Sequence, residues 1–168
     1  MSGTPGARIT SLIGNPRSAS RTHRLARTLA AAIAEELQAE DPGEVDLAAL
    51  GPRLLDPGDD AIDAAEQQVL SADVLVVASP TYKASYSGLL KVFLDRFAAG
   101  ALAPVRAVPI LLGGAANHQL AVDVHLTPLL LELGAAVPAR GLFVLERDLG
   151  GFPEAAAAWA RAHARLLS

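Results

Sequence analysis

Residues 74–97 read VLVVASPTYKASYSGLLKVFLDRF. The run Val74–Ala78 is apolar without interruption, which is typical of a parallel strand covered by helices on both faces. A polar loop rich in turn-forming residues follows, and Ser87–Phe97 then has the apolar spacing of an amphipathic helix. A buried strand, a loop and a helix in this order are parts of a βαβ unit, so the stretch predicts a parallel α/β sheet.

The same alternation of strand and helix patterns continues on both sides of this stretch. Before it we predict a strand over Arg8–Ile13, a helix over Thr22–Glu40, a weak strand over Val45–Leu50, a loop over Gly51–Asp60 and a helix over Ala61–Ser71. After it we predict a strand over Val105–Leu112, a helix over Leu120–Leu133, a strand over Leu142–Leu145 and a helix over Pro153–Leu167. Pro109 lacks an N–H, so we expect a bulge or a missing hydrogen bond in its strand. The pattern predicts a three-layer α/β sandwich with a five-stranded parallel sheet in the order 2-1-3-4-5.

Length and composition narrow the class of protein. The 168 residues predict one domain over 1–168, with a flexible start over residues 1–7. The absence of cysteine excludes disulfide bonds, thiolate metal sites and a thiol nucleophile. The net charge of −4 argues against a nucleic-acid partner, and we expect no membrane span because no apolar stretch reaches about 18 residues. The first residues lack the apolar run of a secretory signal, so we expect a cytoplasmic protein.

The unusual loops of the chain fall at one edge of the predicted sheet. In a sheet of this order, ligands bind beyond the carboxyl ends of the strands, where strands 1 and 3 diverge. Three loops at that edge stand out: Gly14–Thr22 after strand 1, Pro80–Ser87 after strand 3 and Gly113–His118 after strand 4. The sequence therefore predicts one binding site formed by these three loops.

The loop after strand 1 has the features of an anion site. It leads into a helix N-terminus, where unpaired N–H groups and the helix dipole attract negative charge. Hydroxyl and guanidinium donors are added by Ser18, Ser20, Thr22, Arg17 and Arg21. A single glycine matches neither the dinucleotide fingerprint nor the Walker A loop, so a terminal phosphate monoester fits best. The alternative is an ordinary capping turn with solvated arginines.

The other two loops are suited to a flat ring. The loop after strand 3 carries both tyrosines of the chain, and Tyr82 can lie beside an aromatic ligand while Lys83 adds charge. Gly113 and Gly114 open the loop after strand 4, and adjacent glycines let a ligand approach the backbone. Either loop alone is equally consistent with a plain turn.

A known family is similar to this chain in three segments: GNPRSASRT (14–22), SPTYKASYSGLLKVFLDRF (79–97) and GGAANHQLAVDVHLTPLL (113–130). They resemble the NADPH-dependent FMN reductases of two-component alkanesulfonate monooxygenase systems, which have a flavodoxin-like fold. The similarity extends from Arg8 to about Phe143. It implies phosphate contacts from Asn15, Arg17, Ser20 and Thr22, with Arg21 adjacent, ring and ribityl contacts from Pro80, Thr81, Tyr82 and Lys83, and backbone donors at Gly113 and Gly114.

The resemblance also implies an activity. Such an enzyme passes a hydride from NADPH, or NADH, to FMN and supplies reduced FMN to a flavin-dependent monooxygenase. Hydride transfer needs no protein nucleophile, so we assign no catalytic residue. Two alternatives share the loops: a flavoprotein that keeps FMN and reduces quinones or azo compounds, and an electron-transfer flavodoxin. The carrier fits less well because aromatic residues, which enclose a tightly held flavin, make up only 4% of the chain.

The helix predicted over Leu120–Leu133 is apolar on every side. We expect the sheet to cover one side and a second subunit the other, giving a homodimer or homotetramer, with burial under the chain's own loops as the alternative. By the resemblance, an inserted residue opens a π-bulge at Val124, where the family carries tyrosine. We expect the bulge without the aromatic contact, and hence FMN that exchanges readily. His118 and His125 are seven residues apart, nearly on one helix face, but lack the i, i+4 spacing and carboxylate of the stronger metal pattern, so no metal site is predicted.

Overall fold

The structure, a computed structural model, describes residues 6–168. Within them, five strands form one parallel sheet: β1 (Ile9–Ile13), β2 (Gly43–Asp46), β3 (Val74–Pro80), β4 (Arg106–Gly113) and β5 (Leu142–Leu145). Their order is β2-β1-β3-β4-β5, which confirms the predicted topology. The expected flexible start over residues 1–7 concerns mainly residues 1–5, which lie outside the described part.

Helices connect the strands on both faces of the sheet. They are α1 (Arg21–Leu37), α2 (Leu47–Leu50), α3 (Asp60–Leu70), α4 (Gly88–Leu94), α5 (Thr127–Glu132) and α6 (Phe152–Leu167), with 3-10 turns at Gly51–Leu55, Ala116–His118 and Glu146–Gly151 and a π-helical turn at Val122–Leu126. Across residues 6–168, none of these helices is both long enough and apolar enough to cross a membrane.

Two hydrophobic cores lie on opposite faces of the sheet. Val74 and Val76 of β3 face the core formed with α1 and α6, whereas Leu75 and Val77 face the core formed with α3, α4 and α5. All four side chains are fully buried. Because successive side chains of a strand point to opposite faces, helices cover β3 on both sides. The predicted three-layer sandwich is therefore confirmed.

The second strand is shorter and earlier than predicted. We expected Val45–Leu50, but β2 ends at Asp46 and Leu47–Leu50 forms a helical turn. Asp46 causes the change, because its carboxylate accepts a hydrogen bond from the Ala48 N–H at 3.1 Å and so caps a helix start. The expected loop that follows begins with a 3-10 turn, in which Leu54 packs into the core.

Pro109 does not interrupt β4. The register with β3 is continuous and places Pro109 opposite Val77, so the expected bulge is absent. On the other side, the Ala107 N–H donates to the Ala136 carbonyl at 2.7 Å. Alternate residues of a strand face the same neighbour, so the missing N–H of Pro109 also points to this side. Pairing on this side consists of one bridge between Arg106 and Ala136 and resumes only at Ile110, opposite Leu142, so the expected missing hydrogen bond lies in the gap between them.

The helix predicted over Leu120–Leu133 is interrupted. The π-helical turn Val122–Leu126 precedes α5, which confirms the expected bulge. Leu126 and Leu130 pack into the core, whereas Leu120, Val124 and Leu131 are 56%, 56% and 54% exposed. No loop within residues 6–168 covers this second apolar face, so for these three residues the alternative of burial under such loops is wrong.

Candidate functional site

The loop after β1 is braced by its own side chains. The Asn15 Nδ2 donates to Thr22 Oγ1 at 3.0 Å, and Asn15 Oδ1 accepts the Arg17 N–H at 2.9 Å. Ser20 caps α1 by accepting the His23 N–H, as the capping interpretation of this loop required. Asn15 and Thr22 are buried, so their hydrogen bond holds the loop in place from the protein interior. Thr22 is fully buried, so its hydroxyl serves the internal bonding of the loop rather than its open surface.

The two predicted arginines of this loop differ in availability. Arg21 Nη1 binds Glu146 Oε2 at 2.8 Å, which ties the start of α1 to the segment after β5. Arg17 is exposed and makes no ion pair with any residue in 6–168. Arg17 is therefore the available cation beside the N-terminus of α1, and Arg21 is already partnered by a carboxylate.

The loop after β3 contains a strained two-residue turn. Tyr82 and Ser85 exchange two backbone hydrogen bonds, at 2.8 and 3.0 Å, across Lys83 and Ala84. Both central residues have positive φ, +49° and +64°, as in a type I′ turn. Such turns favour Asn-Gly, because the left-handed backbone conformation is destabilised by about 1–2 kcal/mol for each residue with a Cβ. Strain of this kind is concentrated at ligand clamps, and here it holds Tyr82 and Lys83 out in solvent.

Two buried serines join the first two loops. Ser87 Oγ donates to the Gly14 carbonyl and accepts the Leu90 N–H at 3.1 Å, so one hydroxyl both anchors the β1 loop and caps α4. Ser79 Oγ accepts the Ser87 N–H at 2.8 Å. The sequence alone assigned no role in the site to Ser79 or Ser87. The available signal was two serines flanking the polar loop, eight residues apart.

The third loop is attached to the second by the backbone. The Thr81 N–H donates to the Leu112 carbonyl at 2.8 Å. Gly113 is buried, and a side chain there would collide with the Phe143 ring, so packing within the protein accounts for this glycine. Gly114 is different, because it is exposed and nothing lies within 4 Å of the place a Cβ would occupy. Of the two glycines, Gly114 therefore offers the open backbone.

One polar atom of the site lacks a partner within the described part of the chain. Thr81 Oγ1 is buried and makes no hydrogen bond with residues 6–168. A buried hydroxyl without a partner costs free energy, and such groups in native proteins point to a ligand or water. The arrangement thus combines a cationic, hydroxyl-rich helix terminus with an open cradle for a flat polar ring.

The topology and the position of these loops define a flavodoxin-like α/β protein. The sequence profile of the family described as NADPH-dependent FMN reductase matches residues 7–150. The chain belongs to this family.

Individual relatives agree with the family assignment. The chain is similar to an FMN reductase (NADPH) of Pseudomonas putida, with 46% identity over 78 residues, covering 46% of this chain and 40% of that protein. It is similar over more of its length to the NADH-dependent FMN reductase SfnE of Pseudomonas putida, with 30% identity over 90% of this chain and 84% of that protein. The first match thus spans about two fifths of the relative's length.

Solved structures resemble the chain over nearly its whole length. The apo form of the NADH:FMN oxidoreductase EMOB has a TM-score of 0.78 at 31% identity, covering 93% of this chain and 89% of that one. The described residues therefore share the flavodoxin-like fold of this structure.

Proposed function

We propose that this protein binds FMN across the three loops and reduces it with NADPH or NADH. The observation that carries the proposal is that the three loops meet where β1 and β3 diverge. They bring together the helix N-terminus beside Arg17, the strained turn that follows Tyr82 and the unpartnered Thr81 Oγ1. Membership of the FMN reductase family supports it.

The phosphate of FMN fits the start of α1. Backbone N–H groups at a helix N-terminus point towards an anion, and the helix dipole favours negative charge there. Arg17 supplies an exposed cation and Ser20 a hydroxyl in the same turn, while the buried Thr22 holds the loop through Asn15. Arg21 contributes mainly by fixing α1 to Glu146.

The ring end of FMN fits the other two loops. The Tyr82–Ser85 turn presents an exposed aromatic side chain and backbone on one side, and Gly114 leaves open space on the other. Thr81 Oγ1 lies in this loop with a proton to donate. When bound, FMN supplies the ring that accepts the hydride, and the protein's part is to hold that ring with one face open to the nicotinamide.

The geometry favours FMN that exchanges rather than FMN that stays. Tyr82 is 41% exposed, and Val124, at the π-helical turn, offers no ring that could cover a flavin. A weakly enclosed flavin can leave after reduction. We therefore infer that reduced FMN is the product, delivered to a flavin-dependent monooxygenase.

The exposed apolar face of the π-helical turn and α5 supports a homodimer or homotetramer. Leu120, Val124 and Leu131 project from the side opposite the core. A second copy of the same face would remove these side chains from water, and closed homo-oligomers are the usual outcome of such self-complementary surfaces.

Steady-state oxidation of NADPH and NADH, with and without free FMN, tests the proposal. We expect turnover that saturates with FMN in large excess over protein, and protein that is colourless after dialysis. A yellow protein that keeps stoichiometric FMN and oxidises NADPH only with a quinone or an azo dye would favour the retained-flavin reductase. FMN binding without any oxidation of either nucleotide would favour an electron carrier.

A further inference from the structure

A cavity of about 700 Å³ lies along β5 and is bordered by Ala116 of the loop after β4. Its wall is apolar where β5 and α6 meet, with contributions from Phe143, Leu145, Phe152 and Ala155. Two opposite charges, Arg147 and Asp148, stand at its side. Cavities of roughly 300–1,000 Å³ with an apolar wall and a few polar groups are the usual size and chemistry of small-molecule sites.

The cavity adjoins the loops after β1 and β4, which we propose contact the two ends of FMN. Leu145 pairs in register with Gly113, one strand spacing of about 4.8 Å away, and Ala116 of the same β4 loop lines the cavity. Glu146 directly follows Leu145 and binds Arg21 at the start of α1. A molecule in this cavity is therefore within reach of a ring held by Tyr82 and Gly114.

Resting on the FMN reductase function proposed above, we propose that this cavity holds the adenosine half of the hydride donor and that Arg147 binds the 2′-phosphate of NADPH. The apolar wall suits the adenine ring. A guanidinium forks onto phosphate oxygens, whereas a carboxylate such as that of Asp148 accepts from a free ribose 2′-hydroxyl.

Arg147 is free to take this role. Its Nε lies 3.8 Å from Asp148 Oδ1, beyond hydrogen-bond distance, and the two side chains are 75% and 61% exposed. An exposed pair of this geometry is weak and does not hold the guanidinium in place. A phosphate dianion can therefore replace Asp148 as the partner of Arg147.

The cavity on the other flank of the cradle has the wrong charge. It measures about 430 Å³ and lies beside β2, where Glu44 and Asp46 line it. His23 Nε2 is 2.6 Å from Glu44 and His23 Nδ1 is 3.5 Å from Asp46, so the imidazole already faces both carboxylates. Two carboxylates around a single imidazole repel the phosphates of a nucleotide, so of these two cavities the one along β5 suits the donor better.

Three variants test the assignment: Arg147→Ala, Asp148→Asn and Ala155→Trp, with Arg165→Ala, exposed at the far end of α6, as the matched control. The measurements are KM for NADPH and for NADH, calorimetric binding of adenosine 2′,5′-bisphosphate, and the FMN dissociation constant from fluorescence quenching. The FMN constant also reports that each variant is folded.

Arg147→Ala should raise KM for NADPH and weaken the bisphosphate by about tenfold to a hundredfold, the range for one charged hydrogen bond, while NADH and FMN change by less than about twofold. Asp148→Asn should lower KM for NADPH relative to KM for NADH, because it removes the carboxylate that competes with the phosphate for Arg147. Ala155→Trp should weaken both nucleotides by filling the cavity, without affecting FMN.

Other outcomes would overturn either this proposal or the function on which it rests. An equal rise in KM for NADPH and NADH in Arg147→Ala would show that Arg147 does not bind the 2′-phosphate. If nucleotide binding were unchanged in both Arg147→Ala and Ala155→Trp, the cavity would not hold the adenosine half. If the mass from light scattering changed as well, the cavity would instead be a contact between copies of the chain. Failure of the wild type to reduce FMN would instead refute the proposed function, while bisphosphate binding still tests the cavity.

Discussion

Replacing Ser87 with alanine removes the hydroxyl that ties the β1 loop to the start of α4. In the native protein this Oγ donates to the Gly14 carbonyl and accepts the Leu90 N–H, and the Ser87 side chain is buried. Loss of a helix N-cap costs about 1 kcal/mol, and a buried carbonyl left without its donor costs about 1–3 kcal/mol. The free energy of unfolding should therefore fall by about 2–4 kcal/mol.

Urea denaturation of the wild type and Ser87→Ala measures this loss directly. Ser85→Ala is the matched control, because Ser85 lies in the same loop and its hydroxyl makes no hydrogen bond within residues 6–168. We expect the control to change stability by less than about 0.5 kcal/mol. A loss below about 1 kcal/mol in Ser87→Ala, or an equal loss in the control, would refute the view that this hydroxyl joins the loops.

Four other changes test separate parts of the structure. Arg17→Ala should weaken FMN by about 1.5–3 kcal/mol but leave riboflavin nearly unchanged in fluorescence titrations, because only FMN carries the phosphate; equal losses would contradict the phosphate assignment. Ala84→Gly should raise the free energy of unfolding by about 1 kcal/mol, since glycine adopts the positive φ of this turn without strain; a destabilised variant would contradict the strain. Leu131→Asp should convert the oligomer to monomers in light scattering, and a monomeric wild type at micromolar concentration would rule out the apolar face as an interface. The Arg8 N–H lowers the pKa of Asp73, so Asp73→Asn should cost stability above about pH 4, with the difference from wild type disappearing as the pH falls through the lowered pKa; a difference independent of pH would exclude this linkage.

Much of the fold follows from local patterns that are legible in the sequence. The apolar run Val74–Ala78 predicts a doubly covered strand because only helices on both faces can bury such a segment, and β3 is covered in this way. The alternation of strands and helices predicts a parallel sheet, and the observed order is the common doubly wound order for five strands. That the loops after β1, β3 and β4 lie together is also predictable, since parallel strands bring their carboxyl ends to one edge.

Element boundaries depend on finer local contacts. We predicted the second strand as far as Leu50, but it ends at Asp46, because the carboxylate of Asp46 is enough to start a helical turn at Leu47. Propensity is a weak guide over so few residues, where one capping bond decides the conformation. The π-helical turn was expected only through the family resemblance, as its residues have no distinctive pattern of their own.

Only the tertiary structure decided which side chains of the site are free to bind. Arg17 and Arg21 are equivalent in the sequence, but Arg21 is held by Glu146, 125 residues away. Gly113 and Gly114 are likewise adjacent glycines, but the Phe143 ring occupies the space beside the first of them. The sequence by itself determined the fold class, the three loops and their donor types, because these depend on neighbours in the chain. The partner of each donor, and the cavity along β5, depend on residues that are brought together only by packing.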